Sequence, residues 1–115
     1  FWKNMNATQM NMSQTTLKGL RIEETDLSQT LFQDAQFLGS RIIRSRMREV
    51  VLQESQGQHC YFEKVDFSQA DFRGANFANC QFINCQFTGI TYDSKTQLPK
   101  NVFMKKDASW ILKEF

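Results

Sequence analysis

The chain has 115 residues, of which 41% are apolar and 23% are charged, and its mean hydropathy is -0.50. This length suits one packed domain rather than two, and eleven phenylalanines with a single proline exclude a disordered or low-complexity chain. Fourteen basic and twelve acidic residues give a net charge of +2, too close to balance for an acidic nucleic-acid mimic or a dedicated polyanion binder.

The first nine residues precede the regular part of the sequence. We expect residues 1–9 to form an N-terminal segment or cap, in which Phe1 and Trp2 cover an apolar end. Because the chain begins with Phe1 rather than Met, we also expect it to be a domain of a longer protein. No run of about 20 apolar residues and no basic-then-apolar leader occurs, so we expect no membrane segment and no targeting signal.

From residue 10 to residue 92 the sequence repeats every five residues. Every fifth residue from Met12 to Tyr92 is large and apolar except Gly57, and the residue two places earlier is mostly small from Ala35 onward. All seventeen charged residues between 10 and 92 fall in the other three places of the unit. A step of five fits neither one face of an α-helix nor one side of a strand. The pattern therefore predicts a short strand and a corner in each unit, with four units closing a square coil of twenty residues.

Stacking such coils places residues that are twenty apart over one another, and four inward columns form the predicted core. These columns are Met12, Phe32, Leu52, Phe72 and Tyr92; Ile22, Ile42, Phe62 and Phe82; Leu27, Met47, Phe67 and Phe87; and Leu17, Phe37, Gly57 and Phe77. Gly57 leaves a hole in the last column, where we expect a shift of neighbouring side chains or a local bulge. Four glycines occupy the corner place of their units, where a positive φ is expected: Gly19, Gly39, Gly74 and Gly89.

The units TDLSQ, VDFSQ, ADFRG, ANFAN, CQFIN and CQFTG resemble the pentapeptide-repeat family, whose unit reads A(D/N)Lxx. The resemblance covers residues 10–92 in one register. It implies an all-β fold: a right-handed quadrilateral parallel β-helix, or solenoid, of about four coils. The segment 92–103 is similar to the one by which many members leave their last coil.

The remaining residues, 93–115, are predicted to be an exit segment that ends in a capping helix. Asp107 is a suitable N-cap for a short C-terminal α-helix over Ala108 to Phe115. The apolar side of that helix, Trp110, Ile111 and Phe115, would close the last coil.

The residue types that carry chemistry are few and scattered. His59 falls at an outward corner, whereas Cys60, Cys80 and Cys85 fall in the small inward phase, where free thiols behave as core hydrophobes. We therefore predict no catalytic residues, no metal site and no cofactor, hence a protein that is not an enzyme. Three cysteines are also too few for a secreted disulfide scaffold, which favours the cytoplasm.

The predicted surface carries one strongly basic segment, SRIIRSRMRE. The twenty-residue stacking places Arg46 between Asp26 and Asp66 and Arg44 over Glu24, so pairs between coils should neutralise half of the run. Four to six aligned phosphate contacts are needed for useful affinity, and so nucleic acid is not the expected partner.

Six residues remain as the candidate interaction surface. Arg21, Arg41 and Tyr61 share one column, and Arg48 lies near a corner beside the outward apolar pair Leu31 and Val51. This apolar pair is the preferred contact site, because its members form the one contiguous exposed apolar spot.

The leading hypothesis is a non-enzymatic interaction scaffold that presents flat ladders of side chains to an unidentified protein partner, as a monomer or an end-to-end dimer. A second hypothesis follows from the gyrase-protecting branch of the family, whose members resemble acidic mimics of duplex DNA. The basic balance of this chain departs from that pattern. A third is the docking rod of a secreted bacterial effector.

Overall fold

The computed structural model describes residues 1–99, Val102 and the backbone of Lys113–Glu114. In these residues the chain winds as an all-β solenoid of about four coils, built from short parallel strands. The strands are β1 (Trp2–Lys3), β2 (Thr16–Lys18), β3 (Arg21–Glu23), β4 (Gln36–Leu38), β5 (Arg41–Ile43), β6 (Gln56–Glu63), β7 (Asn76–Ile83), β8 (Thr91–Tyr92) and β9 (Lys113–Glu114). Nothing in the described part forms a helix with the length and apolar character that a bilayer crossing requires.

Each coil contributes one short stretch to each of four faces, and stretches twenty residues apart pair in parallel. Face 1 consists of β1, β3, β5 and the second halves of β6 and β7. Face 4 consists of β2, β4 and the first halves of β6 and β7. Faces 2 and 3 are ladders of single bridges, Asn6–Asp26–Arg46–Asp66–Gln86 and Asn11–Leu31–Val51–Asp71–Thr91. The predicted twenty-residue coil is confirmed.

The corner residues lie in the left-handed region of backbone space. Gly19, Gly39, Gly74 and Gly89 have φ between 62° and 70°, which confirms the prediction. Thirteen residues with side chains adopt φ of 48° to 61° at the same place of the unit. This conformation costs a residue with a Cβ on the order of 1 kcal/mol. A hydrogen bond to the next coil offsets this cost, as from Gln29 N to Arg48 O at 2.9 Å.

The four corners of a coil are of two kinds. From the second coil onward, at turn corners after faces 2 and 3, the central inward C=O accepts from the N–H three residues later, as in Phe67 to Ala70 at 2.9 Å, which closes a β-turn. At open corners, after faces 1 and 4, the described residues lack this bond. At several of these corners the N–H donates instead to a side chain of the next coil, as from Thr25 N to Ser45 Oγ at 3.2 Å.

Aspartate and asparagine of the repeat unit fold the backbone locally. Asp26 accepts a hydrogen bond from Ser28 N at 3.0 Å, and Asp66 accepts one from Ser68 N at 2.9 Å. These Asx turns lead the chain into the turn corners. This geometry explains the aspartate or asparagine immediately before the central apolar residue in these units, and Asn76 on face 4 accepts the same bond from Ala78 N at 3.2 Å.

The predicted columns form the core. From Ile22 to Phe87 the central inward residues, apart from Gly57, are at most 4% exposed. In the last two coils their rings form one continuous cluster, with neighbouring centroids 4.8–6.3 Å apart. The members of this cluster are Phe62, Phe67, Phe72, Phe77, Phe82 and Phe87.

Side chains of the next coil fill the space above Gly57. The rings of Phe37 and Phe77 lie 5.8 Å apart, although two coil spacings amount to about 9.6 Å. A Cβ on Gly57 would lie 2.7 Å from Phe77 Cε1 and 2.8 Å from Cys80 Sγ. The register of β6 and β7 also shifts here, where Gln58 pairs with Asn79. The expected side-chain shift and bulge are both confirmed.

The exit from the last coil is ordered by pairing. Gln97 bridges Asn76 with an offset of 21 rather than 20, and Leu98 and Val102 are buried. The predicted helix over 108–115 lies outside the described residues except at Lys113–Glu114. Those two residues form a strand that pairs with β8, because Thr91–Tyr92 would otherwise be an open edge.

The first coil begins before residue 10. Trp2–Lys3 already pair with Ile22–Glu23, so the segment expected as a cap over 1–9 continues the solenoid without a break in pairing. Trp2 packs against the core, whereas Phe1 is 70% exposed.

Candidate functional site

The predicted apolar contact site lies on face 3. Leu31 and Val51 are register neighbours on adjacent coils, with Leu31 41% exposed and Val51 half-buried. Their backbones are fixed by the coil ladder, as by the bond from Val51 N to Thr30 O at 3.1 Å. The two side chains therefore form a small apolar step on a rigid, flat surface, which we call the Leu31–Val51 step.

A fixed polar group borders the Leu31–Val51 step on the C-terminal side. Asp71 follows Val51 in the face 3 ladder and forms an ion pair of 2.8 Å with Arg73, and it also accepts a hydrogen bond from Gln53 Nε2 at 2.6 Å. Burial acts to raise the pKa of Asp71, but the bonds from Arg73 and Gln53 outweigh it and lower that pKa below its usual value. Asp71 is therefore a charged, oriented acceptor at the rim.

The basic column lies on face 1. Arg21 and Arg41 are register neighbours, and their guanidinium groups turn apart onto aromatic rings. Arg21 lies over Phe1 at 5.1 Å from the ring centroid, and Arg41 lies over Tyr61 at 4.8 Å. Tyr61 donates to Glu63 Oε1 at 2.6 Å, and this hydrogen bond raises the pKa of Tyr61. The column thus consists of cation–π pairs rather than two converging cations.

The rest of the basic run is largely paired. Arg44 lies 3.4 Å from Glu24, as predicted, and Arg48 forms an ion pair of 3.1 Å with Asp66 on face 2. Arg46 lies in register between Asp26 and Asp66, but in the described residues no carboxylate oxygen comes within 4.0 Å of it. Asp66 pairs with Arg48 instead, which the sequence did not indicate.

The six predicted surface residues therefore occupy three faces. Leu31 and Val51 meet on face 3, whereas Arg21, Arg41 and Tyr61 meet on face 1, half a coil away. Arg48 lies between these two groups on face 2. The structure thus separates the basic column from the apolar step, and the two present opposite sides of the solenoid.

An open groove of about 470 Å³ runs along the corner between faces 1 and 2. Acidic and basic side chains alternate in it, and the pair between Arg44 and Glu24 spans it. The lining residues are Asn4, Met5, Asn6, Glu24, Thr25, Asp26, Arg44 and Arg46.

All three thiols lie at open corners, which the sequence pattern did not reveal. Cys60 accepts a hydrogen bond from Ser40 N–H, Cys80 from Cys60 N–H, and Cys85 from Val65 N–H. They take the place that Ser40, Ser45 and Thr25 hold in the earlier coils. Burial raises the pKa of Cys85 to about 11. The sequence does contain a signal for this role: side chains with an oxygen or a sulfur recur at the same places of the twenty-residue coil.

Other chemistry-bearing residues do not converge. His59 is exposed at a corner with φ 56°. Across residues 1–99, no three His, Cys, Asp or Glu side chains are grouped so that they could hold a metal ion.

The pentapeptide repeats family model matches residues 11–49 and 58–90 in eight copies. The unmatched interval, 50–57, ends at Gly57, where the fourth column lacks its large residue. No sequence among curated proteins matches this chain.

Two solved structures share the fold. One is QnrB1, a plasmid-mediated fluoroquinolone resistance protein, with a TM-score of 0.60 and 16% identity over 78% of this chain and 45% of that one. The other is HetL, a pentapeptide repeat protein involved in heterocyst differentiation regulation in the cyanobacterium Nostoc, with a TM-score of 0.52 and 13% identity over 85% of this chain and 51% of that one. The chain thus spans about half the length of each, and at these identities the likeness concerns the fold alone.

Proposed function

Because this chain belongs to the pentapeptide-repeat family, we propose that it is a protein-interaction scaffold, not an enzyme, and that it binds a protein partner through the Leu31–Val51 step on face 3. The observation that carries this proposal is the exposure of Leu31 beside the half-buried Val51, with both residues in register on a rigid face. A partner that covers them gains apolar burial without any ordering cost on this side of the interface.

The surroundings of the step support a protein partner. Asp71 and Arg73 form an oriented polar rim beside it, and an apolar centre with a polar rim is the usual anatomy of a protein interface. The cytoplasm is the proposed location, because Cys60, Cys80 and Cys85 are free thiols.

The test uses a photo-crosslinking amino acid at position 31 in cells that express the protein, with the same residue at position 83 as the matched control. Ile83 is 40% exposed on face 1, so it has the exposure of Leu31 on the opposite side. We expect a discrete crosslinked partner from position 31 that is absent from position 83.

Binding to that partner is then measured for Leu31→Asp, Val51→Asp and Ile83→Asp. Residues central to an interface weaken binding by at least about tenfold when they are replaced, so both face 3 variants should lose affinity while Ile83→Asp keeps it. Equal affinity of all three variants would exclude face 3 as the contact surface.

Protection of DNA gyrase is the second candidate, and the shared fold with QnrB1 is the observation that favours it. The net charge of +2 and the exposed Arg21 and Arg41 oppose it, because a mimic of duplex DNA carries acidic ladders. Gyrase supercoiling measured with and without micromolar protein separates the two functions. We expect no change.

A further inference from the structure

Cys60 and Cys80 lie next to each other inside the solenoid. The pairing of Tyr61 with Gln81 puts the residues just before them, Cys60 and Cys80, at adjacent positions of β6 and β7. Both are buried, at 3% and 5% exposure, and each thiol shifts the pKa of the other. Adjacent strands lie about 4.8 Å apart, which is inside the Cα separation of roughly 4.4–6.8 Å that a disulfide bridges.

The surroundings of the pair differ from every other corner. Gly57 leaves room that Cys80 Sγ and the Phe77 ring occupy, and the register of β6 and β7 shifts between Gln58 and Tyr61. Asn79 does not adopt the positive φ of the other corner residues. The two strands therefore run on through this corner with the thiols on their inner side.

We propose that Cys60 and Cys80 are a redox-active thiol pair that a hydroperoxide converts into a disulfide, which joins the third and fourth coils. The inference is independent of the partner that the scaffold binds. Cys85 takes no part, because it stacks over Val65 at a different corner and has no thiol neighbour among the described residues.

The reaction proceeds in two balanced steps. The Cys60 sulfur attacks one oxygen of hydrogen peroxide, so that an S–O bond forms, the O–O bond breaks, and the leaving hydroxide takes up the thiol proton as water. The Cys80 sulfur then attacks the Cys60 sulfur, so that the S–S bond forms, the S–O bond breaks and a second water leaves. The two thiols lose two electrons and the peroxide gains them. The Cys80 thiol lowers the pKa of Cys60, and Cys60 raises that of Cys80, so Cys60 is the first nucleophile.

The experiment treats the folded 115-residue chain with a small molar excess of hydrogen peroxide, quenches it and counts thiols after denaturation. We expect the count to fall from the three free thiols to one, with a mass loss of about 2 Da and a peptide that links Cys60 to Cys80. The oxidised protein should melt roughly 5 °C higher or more, because the bridge closes a twenty-residue loop.

Matched serine variants keep the test decisive. The Cys85→Ser variant should still lose two thiols on oxidation, whereas the Cys60→Ser variant should form no disulfide. Serine stands at the same corners in earlier coils, where Ser40 Oγ donates to Leu17 O at 3.2 Å much as Cys60 Sγ lies 3.1 Å from Phe37 O, so both variants are expected to fold. Three thiols retained until the protein unfolds, a bridge to Cys85, or oxygen addition without a bridge would each overturn the proposal.

Discussion

The first and last coils of the solenoid have the same backbone and different interiors. In the last two coils the inward columns are phenylalanine rings, and the small inward place holds mainly alanine, valine or cysteine. In the first two coils the columns are mostly aliphatic, and half of the small places hold threonine or serine, namely Thr15, Thr25, Thr30 and Ser40. Both halves show positive φ at their corners, so the two interiors are alternative ways to fill one frame.

Hydrogen bonds make the polar interior possible. Thr30 Oγ1 donates to Ala7 O and Ser40 Oγ to Leu17 O, both at 3.2 Å. In the described part of the chain no buried side-chain nitrogen or oxygen lacks a partner. The comparison therefore teaches that the small place accepts a hydroxyl because the coil ladder leaves carbonyls within reach.

The largest loss of stability is expected from a substitution in the aromatic half of the solenoid. Phe67→Ala should lower the free energy of unfolding by about 4 kcal/mol, because the Phe67 ring contacts four other rings with centroids within 5.8 Å. Leu27→Ala, in the same column two coils earlier, should cost about 3 kcal/mol. Urea unfolding followed by circular dichroism measures both. A smaller loss for Phe67→Ala would mean that the rings add nothing beyond volume.

The boundary between the halves is tested at Gly57. Gly57→Leu should cost about 2 kcal/mol, because its side chain would occupy the space of the Phe77 ring and Cys80 Sγ. In a Phe77→Ala background the same change should be neutral or favourable, which gives a coupling energy of about 2 kcal/mol in a double-mutant cycle. Additive costs would show that the Phe77 ring is not what fills the space at Gly57.

The polar half is tested at Thr30. Thr30→Val should cost about 1.5 kcal/mol, because the variant loses the bond from Oγ1 to Ala7 O and the acceptor for Met10 N. Valine fits this column, since Val50 holds the same place one coil later. The exposed Thr16→Val is the control and should change stability by less than about 0.5 kcal/mol. Equal costs for the two variants would contradict the role given to the buried hydroxyl.

The smallest expected effect concerns acid stability at the rim of face 3. Folding lowers the pKa of Asp71 from 3.8, so the folded state binds fewer protons there than the unfolded state does. Its contribution is fully present above pH 3.8 and is lost as the pH falls through the lowered pKa. Asp71→Asn should therefore flatten the decline of melting temperature below pH 4, and an equally steep decline would contradict the bonds given to Asp71.

Much of the fold follows from the sequence because one physical rule repeats seventeen times. A large residue must face inward once per five, and the columns, the glycine corners and the distortion at Gly57 all follow from it. The two kinds of corner could not be predicted, because the five-residue pattern is the same on all four faces. The strand at Lys113–Glu114 was missed because amphipathic spacing over 108–115 says nothing of the open edge at Thr91–Tyr92.

The candidate site was only partly predictable. The column of Arg21, Arg41 and Tyr61 and the step of Leu31 and Val51 were both expected, and both are present as register neighbours. Their separation on opposite faces was implicit in a spacing of ten residues, which is half a coil. The twenty-residue spacing predicted Glu24 as the partner of Arg44 but did not predict Asp66 as the partner of Arg48, because a long arginine also reaches carboxylates that are not stacked directly over it.

The open corners give the solenoid a direction. Several N–H groups at such corners find their acceptors in the coil that follows, as Thr25 N does in Ser45 and Leu20 N does in Ser40. A nascent chain emerging from the ribosome therefore holds a coil with unfilled donors until about twenty more residues have appeared. Shortening the protein from its C-terminus should expose these donors, whereas shortening it from its N-terminus should leave them satisfied, so the two truncation series should differ in yield even when they remove equal numbers of residues.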